Sequence, residues 1–436
     1  MVALRFPRHS AAAAALCTLF LVPPVPVGAA PVSAVLASEQ GSGLVPAPGL
    51  ERLLAAAQAQ NPQLLAARGS AEALAEDYAA SRQARLPSIG LSSTTTLGEP
   101  STSLTVTQPL FTSGRISAEI SVAEQRAALG ETEVAATGQE LSLALVDAWA
   151  ETARQYALAG IHRETLDALA GYQGMMERRV AQAVSSESEL ALVTSRVLAT
   201  EAELARAQRM VQIGRQQLSA LARQPVTVPG DLAFDAGTLG SADTDSLLAS
   251  EAAIETAVEA SPAVDRARQA VAVAEAETRS ARASRGIEVL ARLEQRLTGP
   301  DELGDETVGY LALQFAPGPG LSAFSRVRSA RAEEGAARYR LDNARDEVRT
   351  SLLQARDRVR LELERADKLA ANAEALEGLL ASYERQFAAG TKSWLEVLNT
   401  LREVAGSRQG EAIARLDAVA AWYRLRSWLA TDGAAL

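Results

Sequence analysis

Apolar residues recur every three or four positions from Leu50 to Arg85, placing Leu53, Leu54, Ala57, Leu64, Leu65, Ala71 and Leu74 on one side. That spacing predicts an amphipathic helix. Asn61-Pro62 breaks or restarts it, and Pro87 ends it, because proline restricts the residue before it and has no N–H to offer. The period then changes to two. Ile89, Leu91, Ser93, Thr95 and Leu97 alternate with small or polar residues, and Leu104 and Val106 share a face beyond Gly98-Glu99-Pro100. Two short strands forming a hairpin at about 88–108 are expected. Gln108–Arg115 punctuates the return to helix, and no proline follows until the chain has passed Val180. A helix from Arg115 to Val180 would extend about 99 Å, far beyond a globular helix and in the range of coiled coils. Ile116, Ile120, Ala123 and Ala127, then Leu141, Leu145, Ala148 and Leu158, keep the spacing. The pattern breaks at about 181–187, resumes to Ala222, and stops at Pro225 and Pro229.

After a connector at 223–247 the order starts again. Ser261-Pro262 takes the place of Asn61-Pro62, and Val264–Ser284 reads as helix. Ile287, Val289, Ala291 and Leu293 alternate with Glu288, Leu290, Arg292 and Glu294, and a second extended run follows at 307–315. The long helix from Leu321 breaks at about 388–393 and resumes to about Ala430, leaving a tail at 431–436. Residues 50–222 and 248–430 are therefore two structural repeats, the second with its hairpin at about 287–315. Glu177–Leu198 and Glu384–Val404 match at Glu177/Glu384, Arg178/Arg385, Val180/Phe387 and Glu189/Glu396. Two helical hairpins, each with a carboxylate at its tip, are predicted. The helices at 50–85 and 187–222, laid end to end, would cover about 108 Å, nearly one 115–180 helix. Each repeat then forms a wall two helices across.

Composition adds an address. Arg5 and Arg8 precede an apolar run from Ala11 to Val22, followed by Pro23, Pro24, Pro26 and the small residues Gly28-Ala29-Ala30. Residues 1–30 read as a secretory signal peptide, and 31–49 as a loose lead. Cys17 lies inside the apolar run, so a cleaved chain has no cysteine for disulfides or thiolate metal sites. No later stretch resembles a transmembrane helix, so a membrane crossing must use strands. Four strands cannot close a barrel, and open edges in lipid leave backbone groups unpaired. Barrels begin at about eight strands, so three copies supplying twelve would satisfy the backbone; a small soluble sheet capping a helical bundle is the plain alternative.

The chain resembles the TolC-like outer-membrane channel family of multidrug efflux and type I secretion systems, over about Leu50 to Leu429. Gln108–Arg115, QPLFTSGR, and Phe387–Leu401, FAAGTKSWLEVLNTL, carry most of the resemblance; Asn61–Arg68 and Ala84–Ser88 add to it. It implies a mostly α fold with membrane β: a homotrimer whose twelve-strand outer-membrane β-barrel joins a long periplasmic α-helical barrel, each chain internally duplicated. It also implies a periplasmic membrane-fusion adaptor, an inner-membrane ABC or proton-driven pump, outer-membrane lipids, and an exported protein or small-molecule cargo. The breaks become the periplasmic tips, where the closed duct narrows. The family's constriction often carries two aspartates one turn apart, and the matching positions here are Glu396 and Asn399, so one acid of the pair is lost. Glu189 is the first repeat's counterpart. Carboxylates in a narrow passage attract cations and raise one another's pKa. Lys392 and Trp394 are expected gate contacts, and Ala183, Val184, Gly390 and Thr391 adaptor-docking positions. Ordinary solvated helix charge is the plain alternative for Glu189, Lys392 and Glu396.

Catalysis is not expected. His9 leaves with the signal peptide and His162 then stands alone, so no Cys/His nucleophile, histidine metal site or cofactor site is evident. Trp149, Trp394, Trp422 and Trp428 read as helix-packing anchors. A formal net charge of -10 argues against nucleic acid. The expected function is a passive exit duct. Phe315–Ala330 departs from the QPLF pattern and leans the reading toward type I protein secretion. Multidrug or metal efflux is the alternative within the family, and a secreted helical scaffold or adhesion-binding protein the alternative outside it.

Overall fold

The computed structural model describes residues 47–96, 99–236, 239, 251–298, 307–315 and 318–429. The expected signal peptide at 1–30, most of the expected lead, part of the connector, the hairpin turns and the C-terminal tail lie outside the described residues.

Proline opens the short helices. α1 (Pro48–Gln60), α2 (Pro62–Arg82) and α6 (Pro262–Ala283) each carry proline in the first turn, where a missing N–H costs no helical hydrogen bond. Asn61 both ends α1 and caps α2: its side chain accepts from Gln63 N–H at 2.8 Å and donates to the Leu221 carbonyl at 2.9 Å. α5 (Glu251–Ala260) precedes α6 as α1 precedes α2.

The two long helices, α3 (Arg115–Ala181) and α7 (Ser322–Ala388), have 67 residues each, or about 100 Å. Each turns back into a 36-residue partner, α4 (Glu187–Ala222) and α8 (Trp394–Leu429). α3 packs along α2 and α4 of its own repeat and along α6 and α8 of the other, while α7 packs along α6 and α8. The helices before and after the connector are thus one body, joined through α3.

The central core gathers Leu50, Leu53, Leu54, Leu145, Trp149, Leu218, Leu232, Leu416 and Tyr423. Trp149 is fully buried and donates to the Asp231 carbonyl at 2.8 Å. Asp231, only 1% exposed, also accepts from Thr227 N–H at 2.7 Å and is ion-paired with Arg52. A Cβ on Gly49 would come within 2.4 Å of the Asp231 Cα, so only glycine lets α1 seat on this segment. Trp422 packs edge-on to Tyr423 at 4.9 Å, and Trp428 lies against a second cluster around Val264, Leu352 and Val359.

Four strands form one antiparallel sheet in the order β1-β2-β3-β4: β1 (Ser88–Thr96), β2 (Glu99–Phe111), β3 (Glu288–Thr298) and β4 (Thr307–Gln314). The hairpins of the two repeats therefore pair with each other through β2 and β3. β2 runs on to Phe111, past the hairpin end expected at about 108. Pairing with β3 holds it extended, and a register shift between Pro109 and Phe111 accommodates the proline that cannot donate.

Candidate functional site: the sheet and the helical tips

Register assigns the strand side chains to two unlike faces. On one, Ile89, Val106, Leu293 and Gly309 lie in one row, with Gln108, Ala291 and Leu311 in a second and Phe111, Val289 and Leu313 in a third. On the other, Ser88, Thr107, Arg292 and Tyr310 share a row, as do Gly90, Thr105, Glu294 and Val308. The apolar face has no cover: Ile89, Leu311 and Leu313 are 70–74% exposed. β1 and β4 each have a strand partner on one side only among the described residues. A lone sheet with a bare apolar face and two open edges would aggregate in water.

At the opposite end of the long helices, two turns are built alike. Ala183 and Gly390 hold equivalent places with φ of 55° and 77°, the left-handed region. The next residue closes back over the helix end: Val184 N–H donates to the Arg179 carbonyl and Thr391 N–H to the Gln386 carbonyl, both at 2.9 Å. This is a Schellman stop. Each following helix opens on Ser-x-x-Glu. Ser186 N–H donates to Glu189 Oε2 at 2.9 Å, and Ser393 N–H to Glu396 Oε2 at 3.1 Å. The serine hydroxyls accept from the Glu189 and Glu396 N–H groups in return, at 3.3 and 3.4 Å. Both expected pore carboxylates are thus the third residues of capping boxes, and their hydrogen bonds stay within their own turns.

Glu396 carries one partner more. Lys392 Nζ donates to its Oε1 at 2.7 Å and sits 4.3 Å from the centre of the Tyr383 ring. The Lys392 hydrogen bond, followed by those from Ser393, lowers the Glu396 pKa to about 2, and the same pair raises that of Lys392. Asn399 is half-buried about one turn farther along α8. Val184 is 60% exposed, and Ala183, Gly390 and Thr391 are exposed as well.

Between the turns, Trp394 is 2% exposed. It lies 5.2 Å edge-on from Tyr172 of α3 and 5.1 Å from Phe387 of α7, within a cluster that includes Met176, Val193, Val397 and Leu398. Arg179 stacks its guanidinium 4.8 Å from the Phe387 ring, and the Tyr172 hydroxyl bonds the Glu384 carboxylate. Burial, then Glu384, pushes the Tyr172 pKa upward, keeping its proton in place as a donor. These contacts tie the first hairpin to the second.

Residues 53–222 match the family model described as outer membrane efflux protein. The structure of the outer membrane protein VceC from Vibrio cholerae is similar at a TM-score of 0.75 and 17% identity, covering 87% of this chain and 95% of that one. A membrane protein from Pseudomonas aeruginosa gives 0.73 at 16% identity, covering 92% and 95%. The Neisseria gonorrhoeae MtrE outer membrane channel gives 0.70 at 17%, covering 88% and 89%. The described chain takes the fold of these outer-membrane proteins, and the family model covers its residues 53–222. No curated protein matches it.

In this fold the sheet and the tips lie at opposite ends of the long helices. The contacts of Tyr172 with Glu384 and of Arg179 with Phe387 were not legible in the sequence, because their partners stand more than 200 residues apart. The Ser-x-x-Glu spacing at both helix starts was a local signal, and it identifies the caps without any alignment. Among the described residues no helix is long and apolar enough to cross a membrane, and no group of three or more His, Cys, Asp or Glu is placed to hold a metal ion.

Proposed function

We propose that three copies of the chain assemble into an outer-membrane duct that passively conducts small-molecule cargo out of the periplasm, as the exit stage of an efflux system. The observation that carries this reading is the two-faced, open-edged sheet. A strand edge left in lipid costs several kcal/mol for each unpaired backbone group, and β1 of one copy meeting β4 of the next removes both edges. Ile89, Leu91, Leu311 and Leu313 then face hydrocarbon, and Ser, Thr, Arg292 and Glu294 face water. The lean toward protein secretion yields to efflux, which the family match over residues 53–222 favours. A periplasmic adaptor and an energised inner-membrane pump complete the system, with the exposed turns around Val184 and Thr391 as the meeting point. Glu189 and Glu396 supply negative charge where the duct narrows. No bond in the cargo changes.

The test is reconstitution of the purified chain. Heat-modifiable trimers on gels, ion conductance in planar bilayers and restored drug or metal tolerance in a host stripped of its own exit channels are expected. A detergent-free soluble monomer that does not conduct would overturn the reading.

A further inference from the structure

All four strand ends that join helices lie at one end of the sheet: Ser88 pairs opposite Thr107, Phe111 opposite Val289, and Glu288 opposite Gln314. The charge there runs against that of the whole chain. In the junctions 82–88, 111–115, 282–288 and 315–331, arginine recurs and Glu288 is the one acid, although the chain is net acidic at -10. Arg115 neutralises Glu288. Arg85, Arg282, Arg326 and Arg328 are exposed, and none of them is paired with a carboxylate among the described residues.

Aromatic rings occupy the same level. Phe111, Phe315 and Phe324 are 58%, 61% and 48% exposed, beside exposed Leu86, Ile287 and Leu321. Arg285 lies with its guanidinium 5.1 Å from the centre of the Phe324 ring. The bare apolar face of the sheet continues directly into this collar through Phe111. Rings at the edge of an apolar band, with guanidiniums beside them, match the layer where acyl chains give way to phosphates. Arginine serves that layer well, because its fork engages phosphate oxygens in pairs while its stem stays on apolar surface.

We propose that this collar is a binding surface for anionic phospholipid headgroups of the periplasm-facing leaflet, with Arg85, Arg282 and Arg285 holding the phosphates and Phe111, Phe315 and Phe324 seated among the upper acyl carbons. The surface fixes the depth of the sheet in the bilayer. The inference rests on the membrane reading of the sheet proposed above.

The full-length channel is reconstituted into vesicles of phosphatidylcholine with or without phosphatidylglycerol, and insertion is scored separately by heat-modifiable trimer and conductance. Lipid retained on the detergent-released channel is then measured by native mass spectrometry. Wild type is expected to retain phosphatidylglycerol over phosphatidylcholine. Glutamine at Arg85, Arg282 and Arg285 should insert and conduct, yet lose that preference by roughly fivefold per arginine, the worth of one basic side chain at an anionic surface. Lysine at the same three positions should keep most of it. An inserted, conducting wild type with no preference, or a glutamine variant that keeps it, overturns the headgroup surface alone. Failure of wild type to insert in either vesicle overturns the membrane reading and the collar with it.

Discussion

Ala183 and Gly390 perform the same task with different residues, and the difference is measurable. A left-handed φ costs a residue with a Cβ about 1–2 kcal/mol more than glycine. Ala183→Gly is therefore expected to stabilise the first turn by about 1 kcal/mol, and Gly390→Ala to destabilise the second by a similar amount. A Cβ on Gly390 meets no atom within 4 Å, so the cost is conformational and not steric. Amide exchange at 182–186 and 389–393 reads both; equal exchange in parent and variants would refute the assignment. Lys392 and Glu396 present opposite charges 2.7 Å apart. Glu396→Gln leaves the lysine unopposed and should lower cation preference, while Lys392→Met should raise it. Reversal potentials under a salt gradient that move the same way for both variants would exclude a selectivity role. Because Glu396 is held at about 2 in the fold, below its ordinary 4.5, its contribution is complete above about pH 4.5. That contribution is lost as pH falls toward 2, so amide protection factors at 391–396, corrected for the intrinsic pH dependence of exchange, should be flat above pH 5 and fall below about 4.

At the scale of the element, the two helical hairpins are each closed by local chemistry and joined to one another by side chains. Trp394 is buried against Tyr172 and Phe387, so Trp394→Ala removes the largest ring in the tip cluster. Large-to-small changes of this kind cost about 3–5 kcal/mol. The hairpins should separate, with raised resting conductance and faster exchange along 394–401. Tyr172→Phe keeps the ring and deletes only the bond to Glu384, so a smaller rise in conductance is expected. If Tyr172→Phe opened the duct more than Trp394→Ala, the hydrogen bond and not the packing would be the principal tie. The sequence located both breaks to within a residue or two, since a Schellman stop and a capping box are written within a few neighbouring positions. It was silent on Tyr172–Glu384, whose partners stand 212 residues apart.

For the whole molecule, the unlike faces of the sheet predict an asymmetric response. Leu311 lies on the apolar face and neighbouring Tyr310 on the polar one. Leu311→Arg should disfavour insertion by about 2–4 kcal/mol if the position lies near the bilayer midplane. Tyr310→Arg should insert normally. Recovery of folded trimer from vesicles measures both, and equal tolerance would mean that neither face meets lipid. The union of the two halves belongs to this scale as well: α3 lies against helices of both, so they share one core and do not act as two beads on a string.

The alternation of periods, the prolines at helix starts and the offset between matching segments determined the order, type and length of the elements, because each is a property of near neighbours along the chain. Glu189 and Glu396 were visible as equivalent carboxylates, although their capping role became plain only beside their serines. The pairing of β2 with β3, the extension of β2 through Pro109, the seating of Trp394 and the collar of arginines beneath the apolar band were decided by tertiary structure. Each depends on residues that sequence separates by a hundred or more positions, and only the folded chain sets their distance and sides.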